Sequence, residues 1–206
     1  SMHYRRGWEK WLEEPRMMFG FLVDDGNATL KEAREYVRRT AAKMGYPGID
    51  LIPCANRVGS GDEIKDLDEK LEPNPAQPWQ AGLMAAQYLM DLIDGGFKYA
   101  YFHPGFTGNN RGMAEGYDTE GKKHPYFTGV NKQGEMLVGP IYYTTRLIGQ
   151  VLHLSRDSHT DELRCIKNDD NTIVMALRPE SGNQIYVFLL NKKDKEVQAK
   201  LALDVP

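Results

Sequence analysis

Cysteine is scarce in this chain: its 206 residues carry two, Cys54 and Cys165. They stand far apart and outside any metal-ligand spacing, so neither a disulfide framework nor a zinc site organises the sequence. The pair says little about redox compartment. An excess of one sign of charge is missing as well. A net charge of −3 with 27% charged residues supplies no basic field for nucleic acid or an anionic membrane surface. No apolar run reaches the roughly 18–20 residues needed to cross a bilayer. The longest candidate, Trp79 to Ile93, reads better as a buried helix. No signal peptide is visible, and Ser1-Met2 reads as the remnant of an expression tag, which leaves room for a native leader or a longer N-terminus. His124, His153 and His159 show no metal-ligand spacing, so neither a metal nor a cofactor is expected.

What is present is an alternation of short apolar runs with amphipathic stretches. Trp8, Trp11 and Leu12 share one side of a short helical segment that Pro15 ends, an aromatic face suited to packing. Met17 to Val23 is an apolar run of strand length, followed by the turn cluster Asp24-Asp25-Gly26-Asn27. Thr29-Leu-Lys-Glu32 is a capping box. Behind it Ala33, Tyr36, Val37, Thr40, Ala41 and Met44 recur at three- and four-residue intervals, which predicts a helix ended by Gly45 and Pro47. Ile49 to Pro53 reads as a buried parallel strand. Trp79 to Ile93 predicts a second helix, stopped by Gly95-Gly96, and Phe97 to Phe102 a further strand. A polar loop between Arg57 and Pro78 and a Gly- and Asn-rich loop after His103 leave from the expected strand ends, where chemistry collects in such units.

Pro140 to Leu154 predicts a third helix with Pro in its first turn. From Glu162 the texture changes to short strands, expected at Leu163–Lys167, Thr172–Arg178, Gln184–Asn191 and Val197–Val205, separated by turn clusters. The fold class expected is therefore α/β plus all-β. A partial (β/α) barrel of three βα units over residues 1–158 is followed by a small antiparallel β-sandwich portion over 159–206.

The order of these pieces carries a resemblance. The helix leads into Gly45-Tyr-Pro47, a strand, a loop, the apolar helix and Gly95-Gly-Phe-Lys-Tyr-Ala-Tyr-Phe102. Then come His124-Pro-Tyr-Phe-Thr-Gly129, Gly139-Pro140-Ile-Tyr-Tyr143 and a tail with Val187-Phe-Leu-Leu-Asn191-Lys. Nearly the whole chain resembles the last three βα units and trailing β-sandwich of retaining (β/α)8-barrel glycoside hydrolases of the xylosidase/iduronidase-like, heparanase-like and agarase-like group. The resemblance implies action on O-glycosidic bonds of a polysaccharide or oligosaccharide, carbohydrate as ligand, and a secreted or periplasmic setting. Three predicted strands cannot close an eight-stranded barrel. The resemblance thus also implies a partner, either the missing N-terminal half of the barrel or another polypeptide.

Two departures bear on activity. The family's nucleophile Glu ends the strand before the long loop, and alignment on Asn56 puts Cys54 in its place. Retaining chemistry needs two carboxyl groups about 5 Å apart, and the family's acid/base Glu belongs to an earlier strand. Within the loop, Glu63, with Asp62 beside it, is the substitute carboxylate if the register slips. Cys54 is either a reactive thiol or a small buried side chain. Asn56 and Arg57 are placed to bind a sugar hydroxyl or carboxylate, though Arg57 could equally hold the acidic loop that follows. Asp24 ends the first expected strand and is either a substrate contact or a turn-stabilising Asp. His103, after the last expected strand, is either a ligand contact or a structural histidine. The readings that compete with an enzyme are a catalytically inactive carbohydrate-binding barrel module and a structural or interaction domain.

Overall fold

The computed structural model of the chain describes residues 8–20, 27–53, 77–97, 116–117, 123–124, 128–130, 136–138, 140–153, 160–163, 165, 172–180, 183–193, 195–200 and 202. In chain order its elements are α1 (Trp8–Glu13), β1 (Phe19–Gly20), β2 (Asn27–Ala28), α2 (Leu30–Lys43) and α3 (Gln77–Asp94). Then follow β3 (Gly116–Tyr117), β4 (Lys123–His124), β5 (Thr128–Val130), β6 (Met136–Val138), α4 (Pro140–His153), β7 (Thr160–Leu163), β8 (Thr172–Pro179) and β9 (Tyr186–Asn191). Every ladder among the described residues is antiparallel. β1 pairs with β2, β3 with β4, β5 with β6, and the largest sheet has the order β7-β8-β9.

The helices follow their local signals closely. Thr29 Oγ1 accepts from the Glu32 N–H at 3.2 Å, and Glu32 Oε2 accepts from the Thr29 N–H at 2.9 Å. This reciprocal box contributes about 1 kcal/mol at the start of α2. Helices α2 and α3 stop by the same device. Gly45 at φ +88° and Gly96 at φ +68° turn the chain into the left-handed region. The following N–H groups then reach back, Tyr46 N to Ala41 O at 2.8 Å and Phe97 N to Leu92 O at 3.0 Å. Such a motif satisfies carbonyls that the helix end leaves without partners. The buried stripe of α2 is narrower than its sequence suggests: Leu30, Ala33 and Ala41 are inside, whereas Tyr36 and Met44 are exposed. Helix α4 begins at Pro140, against Gly82 of α3, and Thr144 Oγ1 donates to Gly82 O at 3.1 Å. A Cβ on Gly82 would stand 2.7 Å from Pro140 Cβ, so the missing side chain sets how closely the two helices approach.

Several expected strands differ in the structure. The run from Met17 forms a ladder only at Phe19–Gly20, with an antiparallel partner; residues 21–23 lie outside the described residues. Ile49–Pro53, expected as a buried parallel strand, has no ladder partner among the described residues. Leu51 is half-buried and Pro53 buried, while Ile49 and Ile52 are 50% and 56% exposed. In place of a ladder the segment is tied by the Asp50 carboxylate to Arg34 of α2, with Ile49 and Ile52 open to solvent. Of Phe97–Phe102, only Phe97 is described. β7 starts earlier than expected, and Cys165 lies beyond its ladder. In the expected strand Val197–Val205, the described residues 197–200 and 202 form no strand. Asn191 Oδ1 accepts from Lys193 N at 2.9 Å and its Nδ2 donates to Lys195 O at 2.8 Å, which turns the chain away from the sheet directly after β9.

The sheet faces the helices through one side. Register sets Ile173 opposite Leu190, Met175 opposite Phe188 and Leu177 opposite Tyr186. All six belong to or pack against one continuous apolar cluster, with Trp11, Met17, Phe19, Leu30, Met84, Tyr88, Ile141 and Ile148. Residues from both sides of position 158 build that cluster. Deleting a large side chain from such a core costs about 2–5 kcal/mol.

Candidate functional site

From Gly82 to Asp94 helix α3 is buried or half-buried throughout, and two of the buried side chains described there are polar. Gln87 and Asp91, one turn apart, interrupt the run Met84-Ala85-Ala86-Gln87-Tyr88-Leu89-Met90-Asp91-Leu92. A polar group taken out of water must find partners inside, and both do. Asp91 Oδ1 accepts from Arg16 Nη1 at 2.8 Å, and its other oxygen accepts from the Met17 N–H at 3.0 Å. Gln87 Nε2 donates to Pro15 O at 3.4 Å, and its Oε1 accepts from Lys192 Nζ at 3.2 Å. Lys192, immediately after β9, is buried; its ammonium also donates to Glu14 O and lies 4.3 Å from the centre of the Trp11 ring. The joint thus fastens the 11–17 segment to α3 and to the end of β9. Burial pushes the Asp91 carboxyl above the usual carboxylate range, against the opposing pull of Arg16 and the Met17 N–H.

A second joint is built on Arg34. Its Nε and Nη2 grip both oxygens of Asp50, at 2.8 and 2.6 Å, and its Nη1 donates to Gly95 O at 2.7 Å. The Phe97 ring lies 5.4 Å beneath the guanidinium. A planar fork gripping a carboxylate through two nitrogens is the strong form of ion pair. It holds Asp50 down to about 2, with the hydrogen bond from Arg34 the leading cause. The C-terminal end of α3 therefore meets the first turns of α2, where Lys31 Nζ also stands 4.0 Å from Asp94.

Neither joint has the form of a hydrolytic centre. Asp91 is 5% exposed and both its oxygens are occupied by protein donors. A general acid has to come within hydrogen-bond reach of the substrate proton. Asp50 is locked to Arg34. Among the described residues, no group of three or more His, Cys, Asp or Glu side chains could hold a metal ion, and no helix is long and apolar enough to cross a membrane.

The residues that the sequence singles out for chemistry, Asp24, Cys54, Asn56, Arg57, Glu63 and His103, all lie outside the described residues. Trp11, Met84, Tyr88 and Met90 are core, as their pattern indicates. The sequence reading missed Arg16, Gln87, Asp91 and Lys192. The signal available was the i, i+4 spacing of Gln87 and Asp91 on an otherwise apolar helix, since polar groups on a buried face need buried partners. No protein-family model, no curated protein and no solved structure matches the chain.

Proposed function

We propose that the chain is the C-terminal part of a glycoside hydrolase acting on O-glycosidic bonds of a polysaccharide or oligosaccharide, with the acid/base carboxylate supplied from outside it. The observation that carries this reading is the order of elements. Helices α2, α3 and α4 come in the same chain order as the three expected helices, and antiparallel strands that contribute to the same core follow α4. In a (β/α) barrel the helix C-terminal ends lie on the face opposite the strand C-terminal ends, where chemistry collects. The joints of Asp91 and Arg34, at and near the C-terminal end of α3, would then serve stability. Substrate contacts would fall to Asp24, Asn56, Arg57 and His103, with Cys54 at the nucleophile position and Glu63 as the substitute carboxylate.

The test is turnover by the complete assembly. Intact mass and light scattering first establish whether a second polypeptide travels with this one. The assembly is then assayed on a broad panel of polysaccharides and aryl glycosides. Hydrolysis that Glu63→Gln or a carboxylate substitution in the partner abolishes supports the reading; no hydrolysis on the whole panel sinks it.

One observation favours a second reading, an interaction domain. Met44, Tyr46, Ile49 and Ile52, between the end of α2 and Pro53, are 69%, 61%, 50% and 56% exposed. Neighbouring large apolar side chains left in water are the usual mark of a contact surface. A monomeric, cooperatively folded chain without sugar binding at millimolar concentration would favour that reading over the enzyme.

A further inference from the structure

Helix α2 ends in a projecting knuckle. Every residue from Ala42 to Asp50 is exposed, and a Cβ placed on Gly45 or Gly48 would meet nothing within 4 Å. Met44, Tyr46 and Ile49 crown the knuckle, 69%, 61% and 50% exposed. Behind them, in the last two turns of α2, stand the exposed cations Arg38, Arg39 and Lys43. We propose that this knuckle anchors the chain to an anionic membrane surface, its apolar tip entering the headgroup boundary while the three cations meet the lipid headgroups. The inference rests on the contact-surface reading of this stretch and not on the hydrolase reading.

Charge selects the occupant first. The whole chain carries −3, yet α2 sets Lys31, Arg34, Arg38, Arg39 and Lys43 against Glu32 and Glu35 alone. Arg34 grips Asp50 and Glu32 closes the capping box, so the cations nearest the knuckle outnumber the remaining acid, Glu35. The patch thus has the sign opposite to the chain's and complements an anionic surface. A second copy docked two-fold on the same patch would set Arg38, Arg39 and Lys43 against their own kind. Backbone chemistry selects next. A segment entering the edge of a bilayer must arrive with its peptide groups bonded. Met44 N donates to Thr40 O and Ala41 O, Gly45 N to Ala42 O, Tyr46 N to Ala41 O and Ile49 N to Tyr46 O, all between 2.8 and 3.2 Å. Pro47 has no N–H to lose. Tyrosine, apolar in body and polar at its tip, suits the headgroup level. A convex apolar tip backed by cations enters a fluid surface, whereas a helical peptide partner seeks a groove.

The experiment is co-sedimentation of the full chain with vesicles of phosphatidylcholine alone and of phosphatidylcholine mixed with phosphatidylserine, at low and high salt. It is repeated for Lys43→Gln, Ile49→Ser and Tyr46→Trp, all exposed positions. Expected is binding to the mixed vesicles only, weakened by salt. Lys43→Gln should bind about fivefold more weakly and Ile49→Ser about tenfold more weakly. Tyr46→Trp should add a blue-shifted emission on the vesicles that the unsubstituted chain does not show. No binding to the mixed vesicles, binding unchanged by Ile49→Ser, or a Tyr46→Trp emission that the vesicles leave unmoved overturns the proposal. A parallel arm offers an immobilised peptide rich in Glu and Leu. Retention there that Ile49→Ser abolishes, without vesicle binding, overturns the membrane anchor while keeping the contact surface for an acidic protein. Failure of both arms removes the contact-surface reading as well.

Discussion

Replacing Lys192 by methionine tests whether the buried joint holds the N-terminal segment to the body of the fold. Methionine keeps the apolar stem and removes the ammonium. What it leaves behind decides the size of the effect. Glu14 O and Gln87 Oε1 lose the Lys192 donor in a buried place, and a buried acceptor deprived of its donor costs about 1–3 kcal/mol. The ring of Trp11 loses a desolvated cation at 4.3 Å, a contact contributing up to about 2 kcal/mol. Against these stands relief from burying the ammonium, which itself costs several kcal/mol. The expected net loss is about 3 kcal/mol, which for a chain of this size lowers Tm by roughly 6–12 °C. Urea denaturation followed by tryptophan fluorescence should show a lower midpoint at unchanged slope. The double variant with Gln87→Leu should lose less than the sum of its parts, because both changes break the same bond. A loss below about 1 kcal/mol, or additivity within about 0.5 kcal/mol, would refute the account of Lys192 as a structural ligand of the joint.

The two glycines that end α2 and α3 should separate backbone strain from side-chain crowding. Gly45→Ala, at φ +88° with open space around it, should cost about 1 kcal/mol, whereas Gly96→Ala, at φ +68° with Arg34 Nη1 2.7 Å from the new Cβ, should cost more in thermal melts. Gly82→Ala gains helix propensity but drives a methyl against Pro140, so a net loss of about 1–2 kcal/mol is expected by denaturation; a stabilised variant would show that α3 and α4 are not in the contact described. For pH, Asp50 lies below its ordinary value of 3.8, at about 2. Its contribution is complete above 3.8 and is lost as acid carries the solution from there down through about 2. Arg34→Gln should flatten that limb of the stability profile, measured by urea titration at a series of pH values, and an unchanged limb would remove the ion pair as its cause.

How much of this fold could be read from the sequence depends on whether the signal was local. The Thr29-x-x-Glu32 box, the Gly45 and Gly96 stops and Pro140 act within a turn of themselves, and each stands where its sequence puts it. The β8–β9 hairpin was legible for the same reason, since a turn cluster separates two apolar runs of strand length. Ile49–Pro53 failed because its apolar residues form a strand only if another chain segment supplies a ladder. What the segment found was Arg34, sixteen residues back, reaching Asp50. Composition shows that Ile49 and Ile52 are apolar; whether they are covered depends on the rest of the structure.

The candidate site illustrates the same limit from the other side. Asp24, Cys54, Asn56, Arg57 and His103 are singled out by place, at the ends of expected strands, and Glu63 as a loop carboxylate reached if the register slips; each choice depends on strand assignments and a register. Gln87, Asp91 and Lys192 needed neither. A helix too apolar to face water, carrying two polar side chains one turn apart, demands two buried partners wherever it packs. Lysine directly after an apolar strand is one residue able to meet that demand, and here it does so from 105 positions away along the chain. The demand was therefore written locally in α3 while its answer was not, because nothing within a turn of Gln87 indicates that the end of β9 will lie beside it. A Gln87→Leu variant isolates this point. If the polar position exists to receive Lys192, leucine should destabilise the chain that has Lys192 and be tolerated, or stabilise, in the chain that carries Lys192→Met, since two apolar side chains then satisfy each other. Equal losses in both backgrounds would mean that Gln87 serves Pro15 O alone, and that the lysine is held by Trp11 and Glu14.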